Sequence, residues 1–159
     1  MSQLASELKQ TRPFTSSVQE AVLSIKRTAA LLELRLSELL RPFGLTPTQY
    51  NVLRILRGAG PDGLPRCDVQ ARLVAPVADT TRLLDRLERM GLVARVRSTE
   101  DRRVVTSRIT PRGLALLDKV AAPLRDLEEK EVGQVSETRL RALISVLDEV
   151  RRLTPCRRG

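Results

Sequence analysis

Residues 91–113 read GLVARVRSTEDRRVVTSRITPRG, and this stretch decides the fold. Leu92-Val93-Ala94-Arg95-Val96-Arg97 has the β-branched content and the alternation of a strand. Ser98-Thr99-Glu100-Asp101-Arg102-Arg103 is a polar turn, and Val104-Val105-Thr106-Ser107-Arg108-Ile109 returns as a second strand. Together they predict a two-stranded hairpin with a charged tip. Thr110-Pro111 then opens a helix: threonine caps free amides, and proline at the first helical position loses only an N–H that has no helical partner there.

Working upstream, the apolar spacing predicts a helix from Pro76 or Val77 to Met90-Gly91. Thr80, Leu83, Leu84 and Leu87 face inward; Asp79, Thr81, Arg82, Asp85, Arg86 and Arg89 face outward. Before it, Val74-Ala75-Pro76 is a turn, and Pro65 opens a short helix to about Leu73. Earlier still, Thr46-Pro47-Thr48-Gln49 is a capping box that starts a helix ending at Gly58-Ala59-Gly60-Pro61. Asp62-Gly63 turns the chain, and Leu64 has room for one short strand pairing. Short helix, tight turn, second helix and hairpin make a winged helix-turn-helix.

The flanks are helical. Ser17-Val18-Gln19-Glu20 fits a capping box, and apolar residues recur from Ala21 to Leu40 before Pro42 and Gly44 end the run. This helix is apolar on more than one face. The helix that Thr110 opens contains Pro123, which predicts a kink or break. Ser136 caps a last helix with an apolar stripe to Leu153. Residues 1–13 read as a loose arm, and 154–159 as a basic tail. Left alone, the first and last helices would expose a large apolar patch, which points to a homodimer; an intrachain core is the competing account. The expected architecture is mainly α with a small β-wing. One domain is expected over 1–159, with a winged helix-turn-helix lobe at 45–112, the arrangement of a DNA-binding lobe, and a dimerisation lobe from 14–44 and 113–153.

Composition narrows the partners. The chain has 159 residues, with 42% hydrophobic, 30% charged and only 2% aromatic, so the core is expected to be aliphatic. The net charge of +9 suggests a polyanion. Scarce aromatics argue against single strands, whose bases stack on aromatic faces, and leave duplex DNA favoured by elimination. No histidine is present, which removes histidine-based catalysis and the usual zinc and copper ligands. No glycine-rich phosphate loop appears, so no cofactor, no metal and no enzyme activity are expected. Two cysteines make no disulfide framework. With no signal peptide and no apolar run of about 20 residues, no membrane association is expected, and the chain is read as cytoplasmic.

Several residues carry the candidate chemistry. At the start of the 76–90 helix, Val77, Ala78, Asp79, Thr81 and Arg82 lie where base edges are reached. Arg82 can fork onto a guanine, worth about 1–3 kcal/mol of discrimination. Arg86 and Arg89 are better placed for phosphates. An ordinary amphipathic helix with a solvated face is the bland alternative. Asp79 can accept from cytosine N4, pair with Arg82, or support the helix dipole. In the hairpin, Arg95, Arg97, Arg102, Arg103 and Arg108 concentrate charge suited to a narrow minor groove. Asp101 and Arg103 can meet across the turn. Cys67 sits next to Arg66 and is a candidate redox site, with an incidental cysteine as the alternative.

Gly91-Leu92-Val93, Asp101-Arg102-Arg103 and Ile109-Thr110-Pro111-Arg112-Gly113 resemble the MarR family of bacterial regulators. So do Leu45-Thr46-Pro47-Thr48-Gln49-Tyr50-Asn51-Val52-Leu53 and Thr81-Arg82-Leu83-Leu84-Asp85-Arg86-Leu87-Glu88. The likeness runs from about Leu31 through Leu153. It implies an obligate homodimer with interlocked terminal helices, recognition helices in successive major grooves, and wings in flanking minor grooves. By motif, Asp101 and Arg103 are the wing salt bridge and minor-groove arginine, and Arg82 and Arg86 are recognition-helix contacts. The family's usual Ser/Thr/Arg-rich helix start is replaced here by Ala75-Pro76-Val77-Ala78-Asp79. Relatives sense oxidants through a thiol, or small aromatic and phenolic acids in a pocket. The expected function is therefore a repressor that leaves a pseudo-palindromic operator when an effector shifts its recognition helices away from grooves about 34 Å apart. The rivals are a winged-helix protein-interaction module and an enzyme on a small molecule.

Overall fold

The computed structural model describes residues 2–97 and 105–154. The wing tip with Asp101, Arg102 and Arg103 lies outside the described residues, as does Cys156. The elements are α1 (Gln3–Glu7), α2 (Ser17–Leu40), α3 (Pro47–Ala59), β1 (Leu64–Pro65), α4 (Arg66–Ala71), α5 (Thr80–Arg89), β2 (Val93–Arg97), β3 (Val105–Ile109), α6 (Pro111–Val132) and α7 (Glu137–Leu153). This is the mainly helical winged helix-turn-helix that the sequence predicts.

Several boundaries move for local reasons. The arm expected to be loose contains α1, which Ser2 caps and which buries Leu4 and Ala5. The cap of α2 is Ser16 rather than Ser17: its hydroxyl accepts from Gln19 N at 3.2 Å, while Gln19 Oε1 accepts from Thr15 N at 2.9 Å. The Thr46–Gln49 box forms as expected, with its bonds at 2.9 and 3.2 Å. Helix α4 is shorter than expected at both ends: Pro65 is its N-cap in extended conformation, and Arg72 is its C-cap. Helix α6 continues through Pro123 without a break. Ser136 caps α7 by position, with no side-chain bond to the helix amides.

The sheet has three strands, in the order β1-β3-β2, all antiparallel. The expected hairpin is present, and the short pairing at Leu64 adds an edge: Leu64 aligns with Ser107, and Pro65 with Thr106.

The chain divides into two compact units, Met1–Val120 and Ala121–Gly159. The first holds the core: Leu40, Val52, Leu53, Leu56, Val69, Leu84, Leu87, Val93, Leu117 and Val120 are fully buried. All are aliphatic, as the composition requires. Helix α2 buries only Leu40, although it runs for 24 residues. In the second unit Leu124, Leu127, Leu140 and Leu147 are half-buried, and α7 buries no residue at all.

Candidate nucleic-acid interface

Helix α5 is held by its apolar stripe. Leu84 and Leu87 are buried in the first unit, and Val69 of α4 is buried with them. The turn before α5 is tied to α3 through Asn51, whose Oδ1 accepts from Val74 N at 3.0 Å. At the far end Gly91 adopts a left-handed φ of 71°. Its N–H donates to Glu88 O at 2.8 Å, and Leu92 N donates to Leu87 O at 3.0 Å. That pair closes the helix in a Schellman arrangement and sets the point where β2 departs.

The helix starts later than the sequence suggests. Val77, Ala78 and Asp79 precede it, and Asp79 is its N-cap. The cause is the Asp79 carboxylate, which competes with a helical continuation by bonding ahead of itself: Oδ1 accepts from Arg82 N at 2.9 Å. Its Oδ2 lies 3.1 Å from Arg82 Nε. Of the three roles open to Asp79, the structure thus forms the pairing with Arg82, together with a cap. Thr81, Arg82 and Arg86 are exposed, while Val77 is half-buried in the preceding turn. Thr80 is buried, and its hydroxyl has no hydrogen-bond partner among the described residues.

The wing arginines divide by role. Arg97 is exposed and pairs in register with Val105 at the outer end of the described ladder. Arg108 turns back, its Nε donating to Asp62 O at 3.3 Å. Arg95, counted from sequence among the wing charges, instead reaches under α5. It is ion-paired to Asp85, lies 3.7 Å from Glu88 Oε2, and donates to Thr81 O at 3.2 Å. Sequence reasoning missed this role. The signal was available, since Asp85 and Glu88 sit at helical spacing on one face and Arg95 follows within a strand.

The base of the wing is locked by the Thr-Pro start of α6. Thr110 Oγ1 donates to Gly91 O at 2.8 Å and accepts from Gly113 N at 3.1 Å. Thr110 N donates to Leu92 O at 3.0 Å. Gly113 allows this approach: a Cβ there would lie 2.5 Å from Leu92 O.

Cys67 is exposed in the first turn of α4. Its thiol donates to Asp68 Oδ1 at 3.6 Å, while Arg66 turns away to Gln70 Oε1 at 3.3 Å. The Arg66 guanidinium thus bonds to Gln70, and the Cys67 thiol to Asp68. A cavity of about 370 Å³ opens beside the end of α5, lined by Phe43, Met90, Leu92, Arg112, Leu116 and Lys119 among others. Among the described residues no cluster of His, Cys, Asp or Glu suits a metal ion, and no helix is long and apolar enough to cross a membrane.

Comparison with known proteins gives one consistent family. The model for the MarR family matches residues 45–105. The HTH-type transcriptional regulator MhqR of Bacillus subtilis is 31% identical over 102 residues, covering 59% of this chain and 69% of its own. The crystal structure of a MarR transcription factor from Planctomyces limnophilus is 38% identical, with a TM-score of 0.66 over 86% of this chain and 98% of that one. A mutant MarR from E. coli, solved in complex with operator DNA, shares the fold at 23% identity, with a TM-score of 0.77 over 87% of this chain and 99% of that one.

Proposed function

The chain belongs to the MarR family, and from that premise we propose that it is a sequence-specific double-stranded DNA-binding regulator that represses transcription from a pseudo-palindromic operator. The observation that carries this reading is the two-sidedness of α5: Leu84 and Leu87 are buried, while Thr81, Arg82 and Arg86 stand exposed. A helix so mounted presents hydrogen-bonding groups to a major groove without disturbing its own packing. The net charge of +9 supplies the long-range attraction to phosphate. Arg97, Asp101, Arg102 and Arg103 form the wing contact in this reading, with Arg103 entering the minor groove.

The functional unit is a homodimer. Along α2, Val18, Val22, Ile25, Leu31, Leu32 and Leu34 are exposed; along α7, so are Leu143, Ile144, Val146 and Leu153. Apolar surface of this extent on helices that bury almost nothing requires a partner surface, and a second copy of the chain supplies one. The effector is a small aromatic or phenolic acid. Its site is the cavity beside Met90, where Phe43, Leu92 and Leu116 offer apolar walls and Arg112 and Lys119 offer cations. A ligand there bears on the end of the recognition helix and changes the spacing of two such helices in a dimer. Catalysis plays no part in this account, and the protein works in the cytoplasm.

Two substitutions test the site. Arg103→Ala weakens binding to every duplex; unchanged affinity removes the wing from the account. Arg82→Ala relaxes the preference at one base position of each half-site, a loss of about 1–3 kcal/mol there. If it weakens all sequences equally, Arg82 contacts phosphate. A protein-interaction module without DNA binding would show neither effect.

A further inference from the structure

We propose that Arg95 is a positioning residue, the buckle that fixes the recognition helix against the wing, and that it is not itself a phosphate contact. The proposal rests on the DNA-binding reading of α5 and adds to it the residue that sets that helix's pose. Thr81, Asp85 and Glu88 are spaced four and then three residues apart, so they form one stripe along α5. Arg95, from the middle of β2, meets all three levels of that stripe. Its guanidinium is ion-paired to Asp85, donates to Thr81 O at 3.2 Å, and places Nε 3.7 Å from Glu88 Oε2. Its backbone N–H donates to Glu88 Oε1 at 3.2 Å. Glu88 thereby holds both the main chain and the side chain of one wing residue.

Three features separate this residue from the other arginines of the interface. Its side chain is only 25% exposed, whereas that of Arg82 is 88% exposed. Its Nη2 is engaged by Thr81 O and the Asp85 carboxylate, and its Nε faces Glu88. Its one positive charge sits between two carboxylates on a helix proposed to face a polyanion, so it offsets a repulsion rather than adding an attraction. The planar fork of arginine suits three acceptors on successive turns; the point charge of lysine does not span them. Since β2 leads straight into the wing, the same contact couples the pose of the helix to the pose of the wing.

The test compares the full-length wild type, Arg95→Met and Arg95→Lys. The first readout needs no DNA: amide hydrogen exchange along α5. Arg95→Met is expected to speed exchange of the amides at Arg82–Asp85 about tenfold or more, by local opening, without an equal change in the core amides of α3. The second readout is binding to a random-sequence duplex and to the chain's own promoter fragment across salt concentrations. Arg95→Met is expected to keep the salt slope on random duplex and to lose about tenfold of the promoter preference. Arg95→Lys, which keeps the stem and charge and so guards against simple misfolding, is expected to fall between. Unchanged exchange in α5 overturns the proposal. So does a salt slope shallower by about 0.9 with equal losses on both duplexes, which is the mark of a lost phosphate contact. If the wild type shows no salt-dependent duplex binding, the DNA-binding reading fails, and the exchange readout still decides whether Arg95 holds α5.

Discussion

Asp79 holds Arg82 at two points: Oδ1 accepts the backbone N–H at 2.9 Å, and Oδ2 lies 3.1 Å from Nε. One carboxylate thus caps α5 and sets the direction of an arginine whose side chain is 88% exposed. The two roles separate by substitution. Asp79→Asn keeps a capping oxygen and removes the charge, so stability stays within about 0.5 kcal/mol. The same change lifts a repulsion between the helix tip and phosphate, so affinity for random duplex rises at low salt. Asp79→Ala loses the cap and costs about 1 kcal/mol. Urea unfolding and fluorescence anisotropy on a labelled duplex measure both.

Gly113 is required by the close approach of α6 to the wing base. A Cβ there would lie 2.5 Å from Leu92 O and 2.7 Å from Ile109 Cγ1. Gly113→Ala is expected to destabilise by about 1–3 kcal/mol, as overpacking does. Gly58, inside α3, has nothing within 4 Å of its ideal Cβ. Gly58→Ala is expected to stabilise by about 0.5–1 kcal/mol. Denaturant midpoints of the two variants should move in opposite directions.

Thr80 begins α5 with a buried hydroxyl that has no partner among the described residues. Thr80→Val keeps the shape and removes a desolvated polar group. Stability is expected to rise by about 1 kcal/mol, since an unmade buried hydrogen bond costs about 1–3 kcal/mol. A fall in the thermal midpoint would mean that the hydroxyl is satisfied in solution.

Ile144 is 56% exposed in the middle of α7, within a helix that buries nothing. Ile144→Glu places a charge on the proposed subunit surface. Sedimentation velocity is expected to show a shift from dimer to monomer at micromolar protein, with weaker operator binding. A persistent dimer would move the interface elsewhere.

Much of this fold is legible in the sequence because its signals are local. The Thr46–Gln49 and Thr110–Gly113 starts announce themselves through side chains that bond within three residues. The hairpin and the aliphatic core follow from alternation and composition. What the sequence hides is competition between equally good local options. Ser16 and Ser17 both suit a cap, and the contact from Gln19 to Thr15 settles the matter one residue earlier. Helical spacing extends back to Val77, yet the carboxylate of Asp79 captures the amide of Arg82 and starts the helix at Thr80. Arg95 looks like one more wing charge until the tertiary fold lays α5 over β2. Leu4 and Ala5 sit in too short a run to show a period, and only their burial reveals α1.

Sequence-specific binding of duplex DNA underlies the proposed function. Its most direct measurement is the affinity of the purified protein for its own promoter fragment and for a random duplex of equal length, between about 50 and 200 mM salt. The account predicts that both log affinities fall linearly with log salt, with a slope of about −0.9 per phosphate contacted. It also predicts a promoter preference of roughly a thousandfold or more over the random duplex. Weak binding that is flat in salt and equal for the two duplexes would contradict it.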